Sequence, residues 1–170
     1  EWVEGDNLEE LLDSLRNDDK WLSVTDVCEL GLDLAKGLAA LHDHDLVHRD
    51  IKPSNVMVGR ELSGELIVKL VDFGIVADLR AEPKSARASE HADEAVMGTS
   101  AYMAPEQVAG RPPTPAVDVF ALGVVLYEAL TGSCVPPDGW TPETLRPIDS
   151  LRRNVPLELV ALVRACMSSD

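Results

Sequence analysis

The eight residues His48-Arg49-Asp50-Ile51-Lys52-Pro53-Ser54-Asn55 constrain this chain more than any other stretch. They set a carboxylate, two cations and a carboxamide side by side, directly after a long amphipathic segment. A carboxylate at Asp50 can receive a hydroxyl proton. Lys52 can lie beside a transferring phosphoryl group. The side-chain oxygen of Asn55 suits a hard cation such as Mg²⁺. Pro53 bars a regular helix through the stretch, as expected of a shaped loop. Taken alone, the string is equally consistent with a charged surface turn. The residues downstream decide.

Three further strings follow in order: Asp72-Phe73-Gly74, then Gly98-Thr99-Ser100-Ala101-Tyr102-Met103-Ala104-Pro105-Glu106, then Asp118-Val119-Phe120-Ala121-Leu122-Gly123. With the first string they resemble the C-terminal lobe of a protein kinase. Lys52 and the Gly98-Thr99 pair are similar to the serine/threonine branch, and Tyr102-Met103-Ala104-Pro105-Glu106-Gln107 to the bacterial-type, eukaryotic-like members. The resemblance implies an α+β fold, mainly α-helical: a kinase-like C-terminal lobe with a small β-hairpin and no N-terminal lobe. Residues 1–7 then read as a remnant of the hinge and 8–170 as the lobe. Within it the catalytic loop falls at 46–55 and the activation segment at 72–106, and the chain stops before the last helix. ATP, Mg²⁺ (or Mn²⁺ in its place) and protein substrates with Ser or Thr acceptors are the implied cofactors and partners.

Each role maps onto a matching residue. Asp50 orients the acceptor hydroxyl and takes its proton, Lys52 stabilises phosphoryl charge, and Asn55 and Asp72 hold the metal. Thr99 hydrogen-bonds near Asp50 and Lys52. The Glu1 carbonyl and the Val3 amide hold adenine, Asn7 meets the ribose and Met57 forms the floor beneath the base. A frayed terminus and a plain core methionine account for these last four equally well. Arg49 marks the branch in which a phosphate on the activation segment is often captured by arginine. Ser85 and Ser89 are the only hydroxyl residues between Gly74 and Gly98, although Glu90, Asp93 and Glu94 already supply negative charge there. Phe73 packs on His48 in an active arrangement, and Asp118 accepts hydrogen bonds from the catalytic-loop backbone. Glu106, whose usual arginine partner comes after Asp170, is expected to be a buried carboxylate without its partner.

Periodicity supplies the scaffold. Leu8, Leu11, Leu12 and Leu15 predict a helix over 8–16, and Ser23 with Asp26 predicts a capped start for a helix over 24–42. His42 and His44 read as polar residues at that helix's end rather than as metal ligands. Val56–Val58 and Leu66–Val71 predict a hairpin that brings Asn55 and Asp72 together. Residues 1–7 read as a strand end running into a turn at Gly5. Ala116 to Thr131 predicts a helix apolar nearly all round and ended by Gly132, with a weak helix over 142–151 and another over 157–167.

A net charge of −15 argues against non-specific nucleic-acid binding and against an anionic membrane surface. The apolar stretch 116–130 is shorter than the roughly 20 residues of a membrane span. No basic-then-apolar leader opens the chain. Cysteines 28, 134 and 166 lack metal-type spacing and read as small core residues in a reducing compartment. The expected location is cytoplasmic, or the cytoplasmic part of an anchored kinase. Two functions follow: part of an active serine/threonine kinase, with this segment alone inactive, or a non-catalytic half-kinase that docks substrates or partners.

Overall fold

The computed structural model describes residues 5–61, 64, 66–72, 77–80, 100–133 and 145–168. In chain order the elements are β1 (Asp6–Asn7), α1 (Leu8–Asn17), α2 (Val24–His42), β2 (Leu46–Val47), β3 (Val56–Arg60), β4 (Leu66–Leu70), β5 (Ala77–Asp78), α3 (Pro105–Val108), α4 (Pro115–Thr131), α5 (Ile148–Leu151) and α6 (Leu157–Cys166). Single 3₁₀ turns occupy Pro53–Asn55 and Ser100–Tyr102.

Helix α4 is the axle. Pro115 opens it at a position where a missing N–H costs nothing, and Gly132 closes it with a left-handed φ of 66°. Every residue from Phe120 to Thr131 is buried, so neighbours must cover all its faces. Helices α2 and α6 both pack on it, contributing Leu30, Leu34 and Leu38 from one and Leu159, Val160 and Val163 from the other to the same core. Gly123 permits the close crossing: a Cβ there would lie 2.7 Å from the Cys166 Cβ and 2.8 Å from the Met167 Cγ.

Helix α2 begins as its sequence predicts. The Asp26 amide donates to the Ser23 hydroxyl oxygen at 2.9 Å, and that hydroxyl donates to the Asp26 carboxylate at 2.8 Å. Ser23→Ala leaves the first-turn amide without this acceptor. It is expected to lower unfolding free energy by about 1 kcal/mol, read from urea denaturation, with an unchanged midpoint as the contrary result.

Strands β1, β3 and β4 form an antiparallel sheet in the order β1-β3-β4. The hairpin expectation holds, and β1 adds a third strand. The strand expected before Gly5 lies in residues outside those described, while Asp6–Asn7 beyond it pair with Val58 and Met57. Gly5 must be glycine, since any Cβ would run into the Val58 carbonyl oxygen. A second antiparallel pair joins β2 to β5, with Leu46 opposite Asp78 and Val47 opposite Ala77. No sequence pattern signals it.

Several expectations change. Helix α1 runs one residue further, to Asn17, and α6 stops at Cys166. Of the weak helix over 142–151 only Ile148–Leu151 is helical, residues 142–144 lying outside those described. Cys28 is exposed and Cys166 half-buried, so the core reading of these cysteines is corrected; Cys134 lies outside the described residues. Among the described residues no helix is long and apolar enough to cross a membrane.

Candidate active site

The loop between β2 and β3 holds the candidate catalytic residues, and α4 packs against it. Asp118, in the first turn of α4, is fully buried. Its carboxylate accepts the His48 amide at 2.8 Å and the Arg49 amide at 2.7 Å. Those two bonds hold Arg49 at a φ of 70°, a left-handed conformation that disfavours a side chain. From α3, the Gln107 side-chain amide donates to the Arg49 carbonyl at 2.9 Å. Both peptide faces of Arg49 are therefore pinned. The expectation for Asp118 is met in full.

His48 is buried beneath the loop. Burial pushes its pKa below the ordinary histidine value, outweighing the attraction of the Asp118, Asp50 and Asp72 charges and a backbone hydrogen bond with Val71. A neutral ring suits its contact, because the Asp50 amide donates to His48 Nδ1 at 3.3 Å.

Asp50, Lys52 and Asn55 converge. Asp50 Oδ2 lies 2.9 Å from Lys52 Nζ. The Asn55 side-chain amide donates to both Asp50 Oδ2 and the Asp50 carbonyl, each at 2.8 Å. The 3₁₀ turn at Pro53–Asn55 brings Asn55 back across the loop to make these bonds. One carboxylate oxygen is thus fixed from two sides. The other, Oδ1, is buried with no hydrogen-bond partner among the described residues. A buried acceptor left in this way costs about 1–3 kcal/mol.

The hairpin brings the second metal candidate to the same end. Val56 pairs with Leu70 in the β3–β4 ladder, and the Val71 amide donates to the Asn55 carbonyl at 2.9 Å. Asp72 follows immediately, exposed and with a φ of 63°. With the Asn55 nitrogen committed to Asp50, its side-chain oxygen and the Asp72 carboxylate would make an all-oxygen donor set, which would fit Mg²⁺ or Mn²⁺ and not a soft metal. Among the described residues no cluster of three His, Cys, Asp or Glu side chains forms a metal cage. A cation held by these two groups would draw its remaining oxygens from water and phosphate.

The other predicted residues fall unevenly. Met57 and Asn7 are register partners across β1 and β3, so the structure brings them together. Met57 is half-buried, between the buried Val56 and Val58 that point to the opposite face. The Asn7 Oδ1 accepts the Glu10 amide at 2.9 Å, so that oxygen caps α1 and is committed before any ribose arrives. Arg49 Nε is buried without a hydrogen-bond partner among the described residues. Glu106 is half-buried, which corrects the expectation of a buried carboxylate there. Glu1, Val3, Phe73, Ser85, Ser89 and Thr99 lie outside the described residues.

Two arrangements escape sequence reasoning. The first is a contact of His42 with Asp118, at 2.8 Å from its Nε2. The second is a junction around Glu128 on α4, which meets the Arg16 guanidinium from α1 and accepts the Tyr102 hydroxyl at 2.6 Å. Burial raises the Glu128 pKa against the opposing pull of Tyr102 and Arg16, and burial with the Glu128 charge drives the Tyr102 phenol far above its ordinary value. The junction ties the turn at 100–102 to two helices. Residues 112 positions apart carry no shared pattern that would have revealed it.

The pattern of the protein kinase domain family matches residues 1–152. Serine/threonine-protein kinase PkaA of Streptomyces coelicolor is 46% identical over 62% of the chain, which spans 18% of that protein. Serine/threonine-protein kinase A of Synechocystis is 34% identical over 100% of the chain, spanning 34% of its own length. A probable serine/threonine-protein kinase of Clostridium perfringens is 31% identical over 100% of the chain and 24% of its length. The chain spans about a third or less of each of these relatives. With most of its length matched, and with Asp50, Lys52 and Asn55 gathered on a loop braced by Asp118, this chain belongs to the protein kinase family and is of the serine/threonine type.

Proposed function

We propose that this chain is the C-terminal, catalytic-loop lobe of a serine/threonine protein kinase, working with a preceding lobe that covers the ATP phosphates. The observation that carries the reading is Asp50, with one oxygen held by Lys52 and Asn55 on a loop braced by Asp118. A carboxylate fixed in this way can accept from a substrate hydroxyl. Asp50 orients that hydroxyl in line with the γ-phosphorus and accepts its proton. The hydroxyl oxygen bonds to phosphorus as the bond to the β–γ bridging oxygen breaks, and ADP leaves. Lys52, on the Asp50 carboxylate, offers positive charge to the equatorial oxygens. Asn55 and Asp72 would hold Mg²⁺, which would supply charge neutralisation at the phosphates. Asn7 and Met57, adjacent in register, lie on the nucleotide side in this reading, with Glu1 and Val3 holding adenine and Thr99 beside Asp50. Arg49, with its buried Nε, is the regulatory cation for a phosphate on Ser85 or Ser89. The acceptors are Ser or Thr of proteins, and the site faces the cytoplasm, where ATP is supplied.

The test uses the full-length protein that carries this chain, γ-labelled ATP, Mg²⁺ and a generic basic protein acceptor. Label is expected on serine or threonine. Asp72→Ala is expected to lower the rate at least about a hundredfold and to raise the Mg²⁺ concentration needed for half-maximal rate. Absence of transfer with nucleotide bound would overturn the reading in favour of a docking module. Transfer indifferent to Asp72→Ala would remove Asp72 from the metal site.

A further inference from the structure

His42 closes α2, and its sequence context gives it nothing to do beyond facing solvent. The structure places its ring elsewhere. His42 Nε2 lies 2.8 Å from Asp118 Oδ2, with the His42 side chain 18% exposed and the Asp118 side chain 0%. A carboxylate only accepts, so the proton sits on Nε2 and the ring donates.

Asp118 then has three donors: the Arg49 amide on Oδ1, and the His48 amide and His42 on Oδ2. A carboxylate wholly removed from water is tolerable only when its lone pairs are met. Two of the three donors exist only while the loop holds its shape, with Arg49 left-handed. His42 belongs to a regular helix and is in place whether or not the loop is formed. It keeps the Asp118 carboxylate aimed at the position that the two amides must reach. Asp50 follows Arg49 directly, so the aim of Asp118 sets the aim of the proton acceptor.

We propose that His42 is a positioning residue for phosphoryl transfer, acting through Asp118 on the His48–Asp50 backbone. The inference rests on the kinase reading of Asp50. A packing role is the competing explanation, because His42 also borders an apolar groove of about 570 Å³ between α2, α4 and α6, beside Leu38, Val119 and Leu122. The two roles separate by substitution. Phenylalanine keeps the ring and loses the donor, whereas glutamine places an N–H at a similar reach and loses the ring.

In the full-length protein, His42→Phe is expected to lower kcat about ten- to a hundredfold, the range for losing a charge-assisted hydrogen bond, while KM for ATP stays within about twofold. His42→Gln is expected to recover kcat to within about threefold of the unaltered protein. Hydrogen exchange over residues 46–52 gives a readout independent of catalysis: the His48 and Arg49 amides exchange faster in His42→Phe and return to normal in His42→Gln. His42→Met serves as the donor-free variant should the phenylalanine variant not fold. Unaltered kcat and exchange in the donor-free variant would overturn the proposal, as would equal impairment in the donor-free and glutamine variants. If the unaltered protein transfers no phosphate, the kinase reading fails. The exchange arm then still decides whether His42 fixes the loop.

Discussion

Asp50→Asn, introduced into the full-length protein, is expected to lower kcat by about a thousandfold, within the span attributed to a positioned general base. Asparagine preserves size and shape but has no site for the proton of the acceptor hydroxyl. It also removes the charge that Lys52 faces at 2.9 Å. The same change should do little to stability. Asparagine keeps an acceptor oxygen for the Asn55 amide, and Lys52, at 23% side-chain exposure, keeps contact with water when it loses the charge of its partner. Against that loss, the variant no longer buries a carboxylate charge, and its NH₂ takes the place of the buried Oδ1. The unfolding midpoint is therefore expected to change little. Single-turnover transfer and urea denaturation on the same preparations give both numbers, and a kcat within about tenfold of the unaltered protein would remove Asp50 from its role.

Asp118→Ala is expected to fail in the opposite way. It strips the acceptor from the His48 amide, the Arg49 amide and His42 together, at a point closed to water. Breaking a buried ionic network on one side costs about 3–5 kcal/mol. Whole domains are stable by only about 5–15 kcal/mol, so this substitution consumes much of the margin. Arg49 adds to the loss, since its left-handed backbone keeps only the Gln107 bond among the contacts described. The expected signature is a large drop in the denaturation midpoint accompanied by loss of activity. A change in unfolding free energy below about 1 kcal/mol would mean that the loop holds its shape without Asp118. Comparing the two variants separates chemistry from architecture: Asp50→Asn gives a stable, inactive protein, and Asp118→Ala an unstable one.

Local signals were legible in the sequence where they repeat or punctuate. Helix α2 was readable at both ends, because Ser23 and Asp26 cap its start and a leucine stripe runs to its close. Helix α4 was readable from one apolar run between Pro115 and Gly132. The hairpin was readable from β-branched runs, and its register then brought Asn55 beside Val71, the residue before Asp72. Pairs of two-residue strands such as β2 and β5 have no room for a period, and they went unseen. Side-chain partners were the other blind spot. His42 looks like a helix-end histidine until the chain folds a residue 76 positions away beneath it. Cys28 looks like a core residue by type, yet it stands exposed on α2. Type and spacing named Asp50, Lys52 and Asn55, but not the state of their atoms. That Oδ1 of Asp50 is the oxygen left over depends on where Asn55 and Lys52 reach.

The grip of Asp118 on the loop also dictates an order of events during synthesis. The amides of His48 and Arg49 precede their acceptor by 70 and 69 residues, and the Gln107 clamp lies 58 residues beyond Arg49. A ribosome adding about 5–20 residues each second needs several seconds to bridge such a gap. During that interval α2 and the hairpin can assemble from neighbouring sequence, but the left-handed turn at Arg49 has nothing to sustain it. The catalytic shape therefore sets only once the start of α4 has been made. The nascent chain passes through a stage that has much of its scaffold and none of its chemistry, so a ribosome stalled before Asp118 releases a product that is structured in part and silent.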